Sequence, residues 1–92
     1  MGRRESRIFK LNDEIARFEA ELRQARAELD NHRSLADDAA RDAAVFDTPL
    51  DREDLREMEA DVARFERVVA HFEDRLSRLS EKRDRLLADL DH

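Results

Sequence analysis

The chain has 92 residues, of which 46% are charged and 5% are aromatic, and its formal net charge is −6. A single glycine and a single proline exclude sandwiches, barrels and Rossmann units, all of which need many turns. The lack of cysteine excludes disulfides and thiolate metal sites, and the longest apolar run, 43–46, is far shorter than the ~18 residues of a membrane span. A long charged helix and a disordered chain remain, and only periodicity decides between them.

The first predicted element is a helix over about residues 5–46. Positions taken at alternating spacings of three and four from Ile8 to Phe46 number twelve, and His32 is the only polar residue among them. A 3.5-residue repeat of this length is typical of a coiled coil and disfavours disorder. His32 is open to two interpretations: a pH switch or ligand, or an imidazole that packs in the seam while its nitrogens reach water. Because no second His, Cys or carboxylate pair stands at metal spacing around it, we prefer the second.

The second predicted element is a turn over about 47–50, which contains the only proline. Thr48 is a candidate cap of the next helix, with Pro49 in its first turn and Asp51 at the third helical position, as in a capping box. Alternatively Asp51 is the cap, and Leu50 and Leu55 form a hydrophobic staple.

The third predicted element is a helix over about 51–90. Its seam runs from Leu55 to Leu90 and has eleven positions, of which only Arg83 is polar. Arg83 is expected either to stack on Phe18 or to extend its charged end out of the seam, and the second is the simpler interpretation.

Two such helices joined by a short link predict an all-α fold, an antiparallel two-helix coiled-coil hairpin that forms one domain over 1–92. The register that we expect places Phe46 opposite Leu55, because small residues then meet large ones, as Ala36 meets Phe65. It also places Leu35 beside Val68. A two-helix hairpin buries only one seam, so we expect it to self-associate as a homodimer, forming a four-helix bundle.

Charge is unevenly distributed along the chain. Seven acidic residues and two arginines lie between Asp37 and Asp54, whereas the N-terminus is basic, with arginines and a lysine from Arg3 to Lys10. Part of the acidic cluster suits the start of the second helix, but the rest crowds the end of the first, where the helix dipole disfavours it. We therefore predict a tip that binds a protein partner through Asp42, Asp47, Leu50, Asp51 and Asp54.

A second candidate surface is apolar and lies in or beside the half of the seam nearest the turn. Small side chains there would let another helix approach closely. We predict that self-association uses this surface, which we call the strip: Leu35, Ala39, Ala40, Ala44, Val45 and Val68.

The sequence contains no motif that carries chemistry. It has no His-Glu-x-x-His pattern and no glycine-rich phosphate loop, and its serines lack the context of a triad. We expect no catalytic, cofactor-binding or metal-binding residues, no small-molecule substrate and no membrane partner, and the net charge disfavours nucleic acid. The predicted function is a non-enzymatic, cytoplasmic coiled-coil module for protein interaction or assembly, which binds a protein partner through its acidic tip or through the Ala-rich strip. Arginine outnumbers lysine sixteen to two, which indicates a GC-rich genome and leads us to expect a bacterial source.

The stretch Phe46-Asp47-Thr48-Pro49-Leu50-Asp51-Arg52, in a hairpin with an acidic tip, resembles the coiled-coil arm of Gre and DksA-type factors. Those factors insert such a tip into the secondary channel of RNA polymerase. The resemblance covers about seven residues and is one of shape, and the cysteines with which DksA binds zinc have no counterpart here. It implies an alternative function, a transcription regulator whose acidic tip inserts into RNA polymerase.

Overall fold

The structure, a computed structural model, describes residues 2–90, and two long helices packed as a hairpin contain nearly all of them. Helix α1 spans Arg3–Phe46 and helix α2 spans Pro49–Leu90, with no strand among the described residues. The predicted all-α, two-helix fold is confirmed for this part of the chain. Each helix begins two residues before its predicted start, and α1 ends where predicted.

The start of α2 is fixed by Thr48. Its hydroxyl accepts a hydrogen bond from the backbone N–H of Asp51 at 3.1 Å and donates one to the Asp51 carboxylate at 2.6 Å. Pro49 takes the first helical position, where the lack of an N–H costs nothing. Of the two predicted caps, the structure has Thr48, with Asp51 at the third helical position. The Asp51 carboxylate accepts from the Thr48 hydroxyl and not from its backbone N–H, so only half of the capping box is formed. Leu50 is exposed and not a staple.

The end of α1 is fixed by Asp47, which adopts the left-handed backbone conformation (φ 48°) common just beyond helix C-termini. Its N–H donates to the carbonyl of Ala43 at 3.0 Å, which extends the helical pattern by one bond. Arg52 then donates to the Asp47 carbonyl at 2.9 Å and to its carboxylate at 2.6 Å. Only Asp47 and Thr48 therefore link the helices, and both are held by hydrogen bonds.

The chain divides into two compact units, which we call the terminal unit (Met1–Arg23 with Ala70–His92) and the turn unit (Gln24–Val69). In the terminal unit, Leu11, Ile15 and Leu79 form a buried cluster. Phe18, Leu76 and Leu86 pack against this cluster. Ile8 and Leu22 are also buried, so seam residues of both helices supply the core of this unit.

The turn unit has a thinner core. Its buried side chains are Ala25, Leu29 and Val69, and no residue from 30 to 68 is buried. The seam of α1 changes here to alanine, at positions 36, 39 and 43, and alanine is too small to cover the larger side chains of α2. The seam nearest the turn is consequently half-exposed.

The predicted register is wrong by about one heptad. In the terminal unit, Ile15 shares its cluster with Leu79, whereas the predicted register places it opposite Leu86, seven residues further along. The rings of Phe18 and Phe72 lie 5.9 Å apart, so Phe18 does not face Arg83. Arginine does stack on Phe18, but the side chain that does so from α2 is Arg75, at 5.5 Å.

The turn unit shows the same shift. Phe65, predicted to face Ala36, stacks instead on His32 with ring centroids 4.5 Å apart. The physical reason is the length of the link: α2 is helical from Pro49, so no slack remains to bring Leu55 opposite Phe46. Phe46 is accordingly 66% exposed and takes no part in the seam.

Candidate functional site

The candidate site is a groove in the turn unit, which we call the acidic groove. It has a volume of about 270 Å³. Residues of α1 and α2 at helical spacing bring four carboxylates together around three apolar side chains. Its lining residues are Leu35, Asp38, Ala39, Asp42, Asp51, Asp54 and Met58. A concave surface lined by charge of one sign concentrates the electric field and attracts groups of opposite charge.

The four carboxylates of the acidic groove differ in what they contact. Asp38 pairs with Arg41 one turn along α1, and the Asp51 carboxylate accepts a hydrogen bond from the hydroxyl of the cap residue Thr48. Asp42 and Asp54 make no hydrogen bond or ion pair with any residue in 2–90. These two side chains are therefore the acids of the groove that are available to a partner without disturbing the turn.

Beside the acidic groove lies a group of exposed apolar side chains, which we call the turn patch: Val45, Phe46 and Leu50. Their exposed fractions are 74%, 66% and 66%. Three large apolar residues this exposed within six positions are unusual on a small protein, where exposed apolar groups are commonly scattered. Leu50 was predicted for the tip and Val45 for the strip, whereas Phe46 was predicted for the seam.

The structure brings some of the predicted tip residues together and not others. Asp42, Asp51 and Asp54 line the acidic groove. Asp47 does not, because its carboxylate is held by Arg52 at 2.6 Å. Leu50 lies in the turn patch.

The predicted strip is divided. Leu35 and Ala39 line the acidic groove, where Leu35 lies with Met58. Val68 is ten residues further along α2, or about 15 Å at the rise of an α-helix, so the predicted pairing of Leu35 with Val68 is wrong. Ala40 and Ala44 are exposed outside the groove, and Val68 is half-buried. Residues from both predicted surfaces, the tip and the strip, therefore line the same groove.

Sequence reasoning missed Asp38 and Met58 in the groove. The signal for both was present, since Asp38 lies at helical spacing from Leu35 and Asp42, and Met58 lies one turn beyond Asp54. The groove was not predicted because the wrong register placed Met58 opposite Ala43 and away from Leu35.

His32, the one polar residue in the seam of α1, lies in the turn unit. Its ring stacks on Phe65 at an angle of 19°, and its Nδ1 is buried without a hydrogen-bond partner. The nearest acid is Asp61, with 4.0 Å between Nδ1 and the carboxylate, and Asp61 itself accepts a hydrogen bond from Arg64 at 2.9 Å. The ring packs as we expected, whereas one of its nitrogens does not reach water.

The terminal unit has a groove of opposite charge, which we call the basic groove. It has a volume of about 580 Å³ and is lined by Arg7, Lys82, Arg85, Leu86 and Asp89. Arg4 donates a hydrogen bond to the carbonyl of Asp89 at 3.4 Å, so a further arginine lies at its edge. The sequence indicated the basic N-terminus, but not that residues of α2 complete a groove with it.

Residues 2–90 contain no group of three or more His, Cys, Asp or Glu side chains placed to hold a metal ion. In the same stretch, neither helix has a segment long and apolar enough to cross a membrane.

Comparison of the chain with protein-family models, with characterised proteins and with solved structures found no match.

Proposed function

We propose that this chain is a non-enzymatic, cytoplasmic coiled-coil module that binds a protein partner through the acidic groove and the turn patch. The observation that carries the proposal is the groove itself, in which Asp42 and Asp54 stand unpaired beside the apolar Leu35 and Met58. A partner segment with basic and apolar side chains fits such a surface, because it would neutralise the carboxylates and cover the apolar groups.

The turn patch supports the same proposal. Leu50 and Phe46 each expose about two thirds of their surface, and burial of apolar area stabilises a complex by about 25 cal/mol per Å². Large apolar side chains next to charged ones are the usual composition of a binding surface, with an apolar centre and a polar rim. Neither residue contributes to the core of the turn unit, so both are available for binding.

Site-specific photo-crosslinking in the native host tests this proposal. A photoreactive phenylalanine analogue replaces Leu50, or replaces Glu57 as a matched control that is exposed in the turn unit but lies outside the acidic groove. We expect a protein adduct from position 50 and little or none from position 57. Adding Asp42→Asn and Asp54→Asn should reduce the adduct, since both remove charge from the groove and leave the hydrogen bonds between Thr48 and Asp51 intact. Equal adducts from both positions, or none from either, would contradict the proposal.

We also propose that two copies of the chain associate through the strip and form a four-helix bundle. This association is supported by the half-exposed seam of residues 30–68 and by Leu35, which remains 42% exposed. A second pair of helices would cover this seam. Light scattering after size-exclusion chromatography should give twice the single-chain mass of 10.9 kDa. A single-chain mass at all concentrations would contradict self-association.

Regulation of transcription through RNA polymerase is the alternative function. It is favoured by the acidic groove next to the turn, which matches the acidic tip of the Gre and DksA-type arms in charge. Co-sedimentation with purified RNA polymerase tests it, with Asp42→Asn and Asp54→Asn as the sensitive variants. Asp47 and Asp51 are poor choices, because they hold the turn and their loss would alter the fold there. Binding that is absent, or unchanged in the variants, would exclude this alternative.

A further inference from the structure

The exposed large apolar residues fall into two groups. In the turn unit they are Leu35, Val45, Phe46 and Leu50, and in the terminal unit they are Phe9, Leu87 and Leu90. Leu35 lines the acidic groove, and the apolar side chain that lines the basic groove is Leu86. The acidic groove therefore combines charge with uncovered apolar surface, and the basic groove combines charge with the half-buried Leu86.

The charges of the two surfaces are complementary. Between Gln24 and Val69 there are thirteen Asp and Glu residues and seven arginines, so the turn unit carries a net −6, which equals that of the whole chain. The terminal unit is balanced overall, but four basic residues and one acidic residue lie between Arg3 and Lys10. The basic groove adds Lys82 and Arg85 from α2 to this cluster.

We infer that the acidic groove and turn patch of one copy bind the basic groove of a second copy of this chain. The inference rests on the proposed function, since it names the partner of the same surface. The partner chemistry that the acidic groove needs, cations beside an apolar side chain, is present in Arg7, Lys82 and Arg85 around Leu86.

This contact joins two unlike surfaces and is an alternative to self-association through the strip, which joins like to like and would bring two acidic grooves together, since Leu35 and Ala39 belong to both surfaces. Complementary potentials steer such partners together and suppress the pairing of like surfaces. Two acidic grooves would bring eight carboxylates together without a lining cation, whereas one acidic and one basic groove bring together five carboxylates, including Asp89, and three cations. Charge therefore selects the unlike pairing.

A charge-exchange experiment tests this contact. One variant carries Asp42→Lys and Asp54→Lys in the acidic groove, and the other carries Arg7→Glu and Arg85→Glu in the basic groove. None of these four side chains makes a hydrogen bond or ion pair within the described part of the chain. Circular dichroism should show that both variants keep the helix content of the wild type.

Self-association is then measured by sedimentation velocity for the wild type, for each variant alone and for an equimolar mixture of the two variants. Each variant alone presents two grooves of like charge, so its dissociation constant should rise about tenfold or more, since several exposed ion pairs are replaced by repulsions. In the mixture both contacts are again complementary, and association should return. Raising the salt from about 0.1 M to about 1 M should weaken the wild-type assembly, because screening shortens the range of the attraction.

A matched control carries Glu57→Lys and Glu59→Lys, which make the same change in net charge outside the acidic groove. We expect this control to associate as the wild type does. The inference is overturned if the variants associate normally by themselves, if their mixture stays monomeric, or if the control is as defective as they are. Should it be overturned while Leu50 still gives an adduct with another protein, the proposed function stands. A wild type that stays monomeric and gives no adduct from position 50 would contradict both the inferred contact and the proposed function.

Discussion

Replacing His32 by leucine should stabilise the protein. His32 lies in a seam of apolar residues, and its Nδ1 is buried without a hydrogen-bond partner. A buried polar atom without a partner costs about 1–3 kcal/mol relative to the unfolded chain, where water satisfies it. His32→Leu removes this cost and restores the apolar pattern of α1.

The gain is reduced by what the imidazole contributes. The ring stacks on Phe65 at 4.5 Å, and such a contact is worth about 0.5–1.5 kcal/mol beyond the area it covers. The approach to Asp61 at 4.0 Å adds little, because both side chains are partly exposed. The net result should be a stabilisation of about 1 kcal/mol, or a rise in Tm of about 4–8 °C for a chain of this length.

Thermal and urea unfolding followed by circular dichroism, at fixed protein concentration, measure this difference. His71→Leu is the matched control, because His71 is exposed and its ring lies 5.7 Å from Phe72 in a tilted arrangement. It should change the stability by less than about 0.5 kcal/mol. If His32→Leu instead lowers Tm by several degrees, the stacked imidazole is a net stabilising group, and the free-energy cost assigned to its buried Nδ1 is too large.

Three further changes have expected outcomes that the same unfolding measurements check. Ile15→Ala should cost about 2–5 kcal/mol, since Ile15 is 6% exposed in the best-packed cluster of the terminal unit; a cost below 1 kcal/mol would mean that the cluster contributes little. Thr48→Ala should cost about 0.5–2 kcal/mol through loss of the cap, whereas Thr48→Ser keeps the hydroxyl and should cost less. Asp47→Val should destabilise by about 1–3 kcal/mol because of the left-handed backbone there, and Asp47→Gly should be tolerated far better; equal effects of the two would dismiss strain as the cause.

The fold could be predicted from the sequence because periodicity, a lone proline and a capping pattern all agree. The seam positions from Ile8 to Leu29 were identified correctly, and they are buried or half-buried. Thr48 and Pro49 located the start of α2 to within two residues. Each of these signals is local, which is why a single sequence carries them.

The register could not be predicted in the same way. A heptad repeat fits equally well when one helix slides by seven residues, since every seam residue again meets a seam residue. The choice was made on the sizes of facing residues, such as Ala36 with Phe65, and that signal is weak. The length of the link decides the register, and helix boundaries near a turn are the least certain part of a sequence-based prediction.

Predicting the candidate site required both the local sequence signals and the register of the two helices. The acidic residues near the turn were evident from composition, but the groove exists only where Asp42 and Asp54 face the same side of the paired helices. The basic groove needed the pairing of Arg7 with Lys82 and Arg85. Neither pairing follows from charge alone.

The two-residue link between α1 and α2 also orders the events of folding. Contacts beside Asp47 and Thr48 close the shortest loops, and the entropy lost on closure grows with loop length, so pairing is least costly there. The cluster of Leu11 and Leu79 joins distant parts of the chain and closes a much longer loop, so we expect it to form later. We therefore expect the hairpin to start folding at the turn, where its core is thinnest, and to gain the stability of the buried Leu11 and Leu79 cluster afterwards.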